Sequence, residues 1–292
     1  MLPSVTGGPV LVVIANAIRD AVRDAELAPS TALDLILAGM AGVADETVLD
    51  AQLRFAANQL AGPYAPVAER TARLIRVAQT AADLLRGASP GSDRQLVASR
   101  LLVRCTSDKV LLRQWFDGQQ LPPGIVLDPE LAWQIVQRLA ALDPDPSPIE
   151  AALTRDPSAA GRVSAARARA TLGRAETKEQ AWRWLMDPSE LSAYELYALA
   201  EGFFEAGQTE LTKEYVSRYF ADIGATADFR SGWALGDVAA KAYPWTAATP
   251  ETLRMAEAAL AGSQAAPVRR ALLDGTERLR RAVRSLEKFS SV

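Results

Sequence analysis

Apolar residues recur at three- and four-residue intervals along almost the whole chain, and no stretch sustains the strict alternation with β-branched enrichment that marks a strand. The pattern predicts an all-α protein. In the first segment Val10, Ile14, Ala17, Ala21 and Ala25 fall on one stripe, with Arg19, Asp20, Arg23 and Asp24 on the other side. Pro29 and Ser30 open a second helix whose apolar face is Leu33, Ile36, Leu37 and Met40.

Breaks fall at short intervals: AGPYAP (61–66), GASPGSD (87–93), QQLPPG (119–124), DPDPSP (143–148), DPSAAG (156–161), TLGRAETK (171–178), MDPSE (186–190), EAGQTE (205–210) and YPWTAATP (243–250). LDPDPSPIE (142–150) carries three prolines and is expected to be a connector. Between the breaks lie about fifteen helices of roughly 10 to 20 residues, whose short connections make consecutive helices antiparallel neighbours. No segment is apolar enough to be a central buried helix. The fold predicted is therefore an irregular HEAT- or armadillo-like superhelix forming a concave bowl, without a crisp repeat consensus. Residues 1–8 read as a short lead and 9–289 as one helical-repeat domain, with a softer seam near Pro144–Pro148.

Composition narrows the choice of partner. The chain has 292 residues, 49% of them hydrophobic and 23% charged, a globular balance. A net charge of −3 supplies no general positive field, so nucleic acid is not an expected partner. VLVVIANAI near the N-terminus is too short to span a bilayer and lacks the basic lead of an export signal. No other stretch approaches the ~20 apolar residues of a membrane helix. No membrane association is expected, and the cytoplasm is the predicted location. The one cysteine, Cys105, excludes an internal disulfide, and its LLVRCT setting predicts a small core residue.

Histidine is absent. The chain therefore has no HExxH zinc ligands, no Ser/His/Asp triad, no Cys/His pair and no histidine general base. It also lacks the phosphate-cradling GxGxxG and GxxxxGK[ST] patterns and the DDxxD cluster that holds Mg²⁺ and diphosphate on a helix. No catalytic residue, metal site or cofactor is expected in this chain.

One short segment, DAVRDAEL (20–27), is similar to the D-x-T-R-D-[AG]-E stretch in the C-terminal helical domain of actinobacterial aminopeptidase N, within the M1 zinc aminopeptidases. Asp20, Arg23, Asp24 and Glu26 match, whereas Arg19 and Val22 stand where the family has Trp and Thr. ETKEQAWRWLM (176–186), EGFFEAGQTELTKEYVSRYFADI (201–223), KAYP (241–244) and APVRRALLDGTERLRRAVRS (266–285) resemble further segments of that domain in the same order. The resemblance runs over roughly residues 8–288. It implies a helical bowl that closes over a peptide chamber, while the family's GAMEN and HExxH machinery is absent here. Zinc would then sit on a separate M1 catalytic chain, with this chain as its non-catalytic subunit in a heterodimer. The substrate would be a peptide, for example the leader of a ribosomal peptide natural product. A free-standing helical scaffold that binds a peptide or protein, and an excised C-terminal domain of a full-length aminopeptidase, stand as alternatives.

Several residues admit a functional and a structural reading. Tyr215, Arg218 and Tyr219 lie within about one helical turn, so Arg218 can hold a peptide carboxylate with the rings covering the chain, or the tyrosines can be core and Arg218 solvated. Asp20, Arg23 and Asp24 can form ordinary surface ion pairs or, where the family chain passes between domains, join the catalytic part. Trp182 and Trp184 stand roughly 200° apart on a helix, so one is expected to be exposed or at a helix contact, which makes them interface candidates. Gly202, Phe203 and Phe204 read as close helix packing. Arg269, Arg270, Arg278, Arg280, Arg281 and Arg284 read as a basic stripe or a solvated final cap.

Overall fold

The computed structural model describes residues 8–289. Fifteen α-helices follow one another: α1 (Gly8–Arg23), α2 (Pro29–Gly39), α3 (Glu46–Phe55), α4 (Val67–Gly87), α5 (Asp93–Cys105), α6 (Lys109–Phe116), α7 (Pro129–Leu142) and α8 (Ser147–Arg155), then α9 (Ala159–Thr171), α10 (Ala175–Met186), α11 (Ala193–Phe203), α12 (Thr209–Asp222), α13 (Gly232–Lys241), α14 (Pro250–Ala261) and α15 (Ala266–Phe289). No strand occurs among the described residues, and the all-α reading of the hydrophobic pattern holds.

Side-chain caps fix many of the helix starts. Asp45 accepts from the amides of Thr47 and Val48, and Asp108 from those of Val110 and Leu111. Ser158 caps α9, Thr249 caps α14, and Ser192 with Glu195 forms a reciprocal capping box at α11. Each such cap satisfies orphan amide donors and contributes about 1 kcal/mol. The 142–150 stretch differs from its expected connector role: α8 already begins at Ser147, because Pro148 sits in the first turn, where a missing amide costs nothing.

The first helix also differs from expectation. Its buried positions among those described are Ala15 and Val22, with Ile18 and Arg19 half-buried; of the expected stripe Ala25 is buried and Ile14 and Ala21 are half-buried, while Val10 and Ala17 are exposed. Arg19 turns inward, its guanidinium 5.1 Å from the centre of the Phe55 ring, and burial lowers its pKa. The run VLVVIA is apolar all round, so several stripes fit it equally well and packing on α2 and α3 selects among them.

Contacts cluster in two compact units, one comprising residues up to Ile135 with the chain from Arg281 onward, the other Val136–Arg280. One division falls inside α7 rather than at Pro144–Pro148, since prolines break a helix without deciding what its neighbours pack against. In the first unit α4 packs along α5, and α3 widens into a π turn at Ala56–Leu60. Arg73 of α4 reaches the carbonyls of Leu60 and Tyr64 at 3.0 and 3.3 Å, which serves acceptors left open where that turn ends. Cys105 is buried.

In the second unit helices two apart in sequence lie side by side. α9, α11 and α13 adjoin one another in one row, and α10, α12 and α14 in the other. Such a two-row stack is what antiparallel hairpins with short connections produce. No helix among the described residues is long and apolar enough to cross a membrane.

Candidate functional site

The segments singled out in the second half of the sequence converge in the two-row unit. Gly202 on α11 allows α9 to approach so closely that a β-carbon there would run into the Arg167 carbonyl and lie 2.8 Å from the Thr171 hydroxyl. Thr171 Oγ1 donates to the Arg167 carbonyl at 2.9 Å and lies 3.3 Å from that of Gly202. Gln208 Nε2 donates to the Thr171 carbonyl at 2.7 Å. The close helix packing expected around Gly202 is present.

At the end of these helices lies Lys178, wholly buried. Its Nζ donates to the carbonyls of Ala170 and Phe203 at 2.6 and 2.7 Å, the last turns of α9 and α11, and lies 5.2 Å from the Phe203 ring centre. One amine thus closes two helix C-termini, where open carbonyls concentrate partial negative charge. Burial pushes its pKa down to about 7, partly opposed by the charge of Glu205. Lys178 went unnoticed in the sequence because it closes the stretch read as a break. The available signal was its spacing: 178, 181, 182 and 185 form one buried face of α10.

Around this amine the aromatic residues interlock. Trp182, Phe203 and Tyr215 have ring centres 5.1 to 5.3 Å apart, and Tyr219, Phe220 and Tyr243 continue the cluster. Tyr219 is fully buried and donates its hydroxyl to the Ala239 carbonyl at 2.6 Å. Burial raises its pKa well above the usual phenol value. Tyr243 packs on Gly275, where a β-carbon would enter the ring, and its hydroxyl lies 3.2 Å from that of Thr276; burial raises it to about 12.

Arg218 is the one member of the Tyr215–Arg218–Tyr219 set that reaches the surface. Its guanidinium lies 4.8 Å from the centre of the Tyr215 ring and 5.1 Å from that of Trp182. Nη1 donates to Glu179 Oε2 at 2.9 Å, and the Tyr215 hydroxyl donates to the same oxygen at 3.1 Å. Arg183 meets the other oxygen at 3.3 Å. The Arg218 hydrogen bond, helped by Tyr215 and Arg183, holds the Glu179 carboxyl below its usual range. Half-exposed and stacked on two rings, Arg218 retains donors beyond the one given to Glu179.

The remaining candidates are placed as follows. Trp182 is buried and Trp184 half-exposed, so the two faces of α10 separate them. Asp20, exposed, and Arg23, half-buried, stand 3.8 Å apart. Arg284 meets Asp24 at 3.7 Å and donates to the Arg23 carbonyl at 3.0 Å. Arg280 joins Glu257 and Glu277, and Arg269 caps the Leu260 carbonyl, so much of the terminal arginine stripe is engaged locally. Among the described residues no group of three or more acidic or cysteine side chains is arranged to hold a metal ion.

The described residues are thus an all-helical chain whose second unit is a packed two-row stack. The sequence profile of the ERAP1-like C-terminal domain matches residues 11–281, and the chain belongs to that family. It is 34% identical over 274 residues to aminopeptidase N of Streptomyces lividans. That alignment covers 91% of this chain and 32% of the relative, so the chain spans about a third of the relative's length. It corresponds to the C-terminal domain of an aminopeptidase N-like protein, not to the catalytic domain.

Proposed function

We propose that this chain is the non-catalytic subunit of a divided M1-type zinc aminopeptidase, docking on a separate catalytic chain as a heterodimer and completing its peptide-binding chamber. The observation that carries this reading is the match to the C-terminal domain of aminopeptidase N in a sequence without a single histidine. Zinc and its water belong to the partner. This chain contributes shape and grip: it excludes bulk water and folded substrates, and orients the peptide so that its N-terminus meets the partner's metal. Within that role Arg218, stiffened by Trp182 and Tyr215, is the carboxylate-binding group, and a leader peptide is a fitting substrate. The cytoplasm is the proposed setting.

The outer side of α1 supports docking. Val10, Val12 and Val13 are 49%, 41% and 67% exposed, an apolar surface beside the charged Asp20, Arg23 and Asp24. Sedimentation of this chain with a purified M1 catalytic chain tests the reading. A 1:1 complex with a dissociation constant of about 1 μM or below is expected. Absence of any complex at about 100 μM, or tight binding only to a protein without M1 features, would contradict it and favour a free-standing scaffold.

A further inference from the structure

Tyr64, in the connection between α3 and α4, is 4% exposed, yet its hydroxyl has no hydrogen-bond partner among the described residues and is not sealed from solvent. A buried phenol ordinarily finds a partner. The backbone on either side of the ring is fixed: the Tyr64 amide donates to the Gln59 carbonyl at 3.1 Å, and its carbonyl accepts from Arg73 Nη1 at 3.3 Å. The hydroxyl is thus held in place without taking part in the holding.

Guanidinium groups from the end of α1 and from α15 surround that place. Burial raises the Tyr64 pKa, while Arg23, Arg281 and Arg284 pull it down, each more strongly than Asp24 pushes it up, so the field of these charges at the hydroxyl is positive. The ion pairs leave hydrogen-bonding capacity unused. Arg23 stands 3.8 Å from Asp20 and Arg284 3.7 Å from Asp24, both beyond hydrogen-bond reach, and Arg284 Nη2 donates instead to the Arg23 carbonyl at 3.0 Å. Arg281 has contacts of its own and enters only through its charge. The end of α1 does not oppose a negative charge either. Its last carbonyls, those of Asp20, Ala21, Val22 and Arg23, all accept hydrogen bonds, the first three from the amides of residues 24 to 27 and the fourth from Arg284. An unpartnered phenol near two guanidinium groups is a donor set for an anion, and the neighbouring Asp20 and Asp24 favour a single charge over a phosphate dianion.

We propose that Tyr64, Arg23 and Arg284 form a binding site for one carboxylate group, taken between the phenol and the two guanidinium groups. The site lies within the first unit and does not depend on the aminopeptidase reading. The test uses the full chain with tyrosine labelled at the ζ-carbon, its six tyrosine signals followed by NMR while acetate replaces chloride at constant ionic strength, and Tyr64→Phe identifies the signal of Tyr64. That signal should shift saturably, with half-saturation at about 1–10 mM, and phosphate should bind more weakly. Arg284→Gln should weaken acetate about tenfold. Because Arg284 also closes the Arg23 carbonyl, Tyr64→Phe serves as the second variant: its hydroxyl bonds to nothing in the protein, so the melting temperature in chloride should hold, while the acetate concentration needed to stabilise the fold should rise about fivefold. N-acetylglutamate amide in place of acetate separates the two sources of the group: tighter binding assigns a side chain of a polypeptide, equal or weaker binding a free small acid. No saturable shift, tighter binding of phosphate than of acetate, or acetate affinity unchanged in both variants would overturn the proposal.

Discussion

Lys178 is an amine wholly buried against two helix-end carbonyls. An ammonium ion sealed from water is costly, yet removing it strands two carbonyls. A neutral amine has two N–H donors, enough to keep both hydrogen bonds, so the group can lose its proton without losing contacts. In the unfolded chain lysine titrates near its ordinary value of 10.5, and in the folded chain near about 7. Between these values the unfolded state binds more protons, so folding stability rises with pH through that window, by up to about 1.4 kcal/mol per unit. Above pH 10 the buried Tyr219 and Tyr243 keep protons that the unfolded chain has lost, and stability falls again. Denaturation of wild type and Lys178→Met should therefore differ more at pH 9 than at pH 7, the variant being less stable at pH 9 by about 2 kcal/mol. A difference independent of pH would contradict this. Gly275→Ala should cost about 1–3 kcal/mol, because its methyl must displace the buried Tyr243 ring. Gly87→Ala, with open space around it, should stay within about 0.5 kcal/mol in either direction or gain slightly.

At the scale of elements, most of the fold was legible in the sequence. Proline, glycine and capping residues mark where helices stop, and all nine breaks fall at helix boundaries. What the pattern misses is where local preference is degenerate. Proline opposes the middle of a helix but not its first turn, so α8 begins inside a stretch read as a connector. The apolar run of α1 fixes a helix but not its buried side, and Arg19 consequently lies against Phe55 rather than in solvent. Tyr215 and Tyr219 sit four residues apart on one face, as expected. Which side of that face is core depends on Trp182 and Ala239, contributed by other helices. If the outward valines of α1 form the docking face, Val13→Glu should weaken association with an M1 catalytic chain by about tenfold and leave the melting temperature nearly unchanged, since the side chain is already exposed. Calorimetric titration and thermal denaturation of the same preparation check both halves.

At the scale of the molecule, helical packing accounts for nearly every segment through which the family was recognised. Gly202 and Gly275 set close approaches, Lys178 ties helix ends, and the aromatic residues fill the space between rows. These residues hold a packed shape, which explains why fold and family are readable in the sequence: a packing residue has a periodic signature, and a half-exposed side chain such as Arg218 has none. If the shape serves a zinc centre on another chain, activity must be a property of the pair. The most direct measurement is hydrolysis of an aminoacyl reporter and of a longer peptide by this chain alone, by an M1 catalytic chain alone, and by the two together. The account predicts no turnover from this chain, and a gain in rate or selectivity toward the longer peptide only in the mixture, reduced by Arg218→Ala. Turnover by this chain alone, or a catalytic chain equally active and selective without it, would contradict the account.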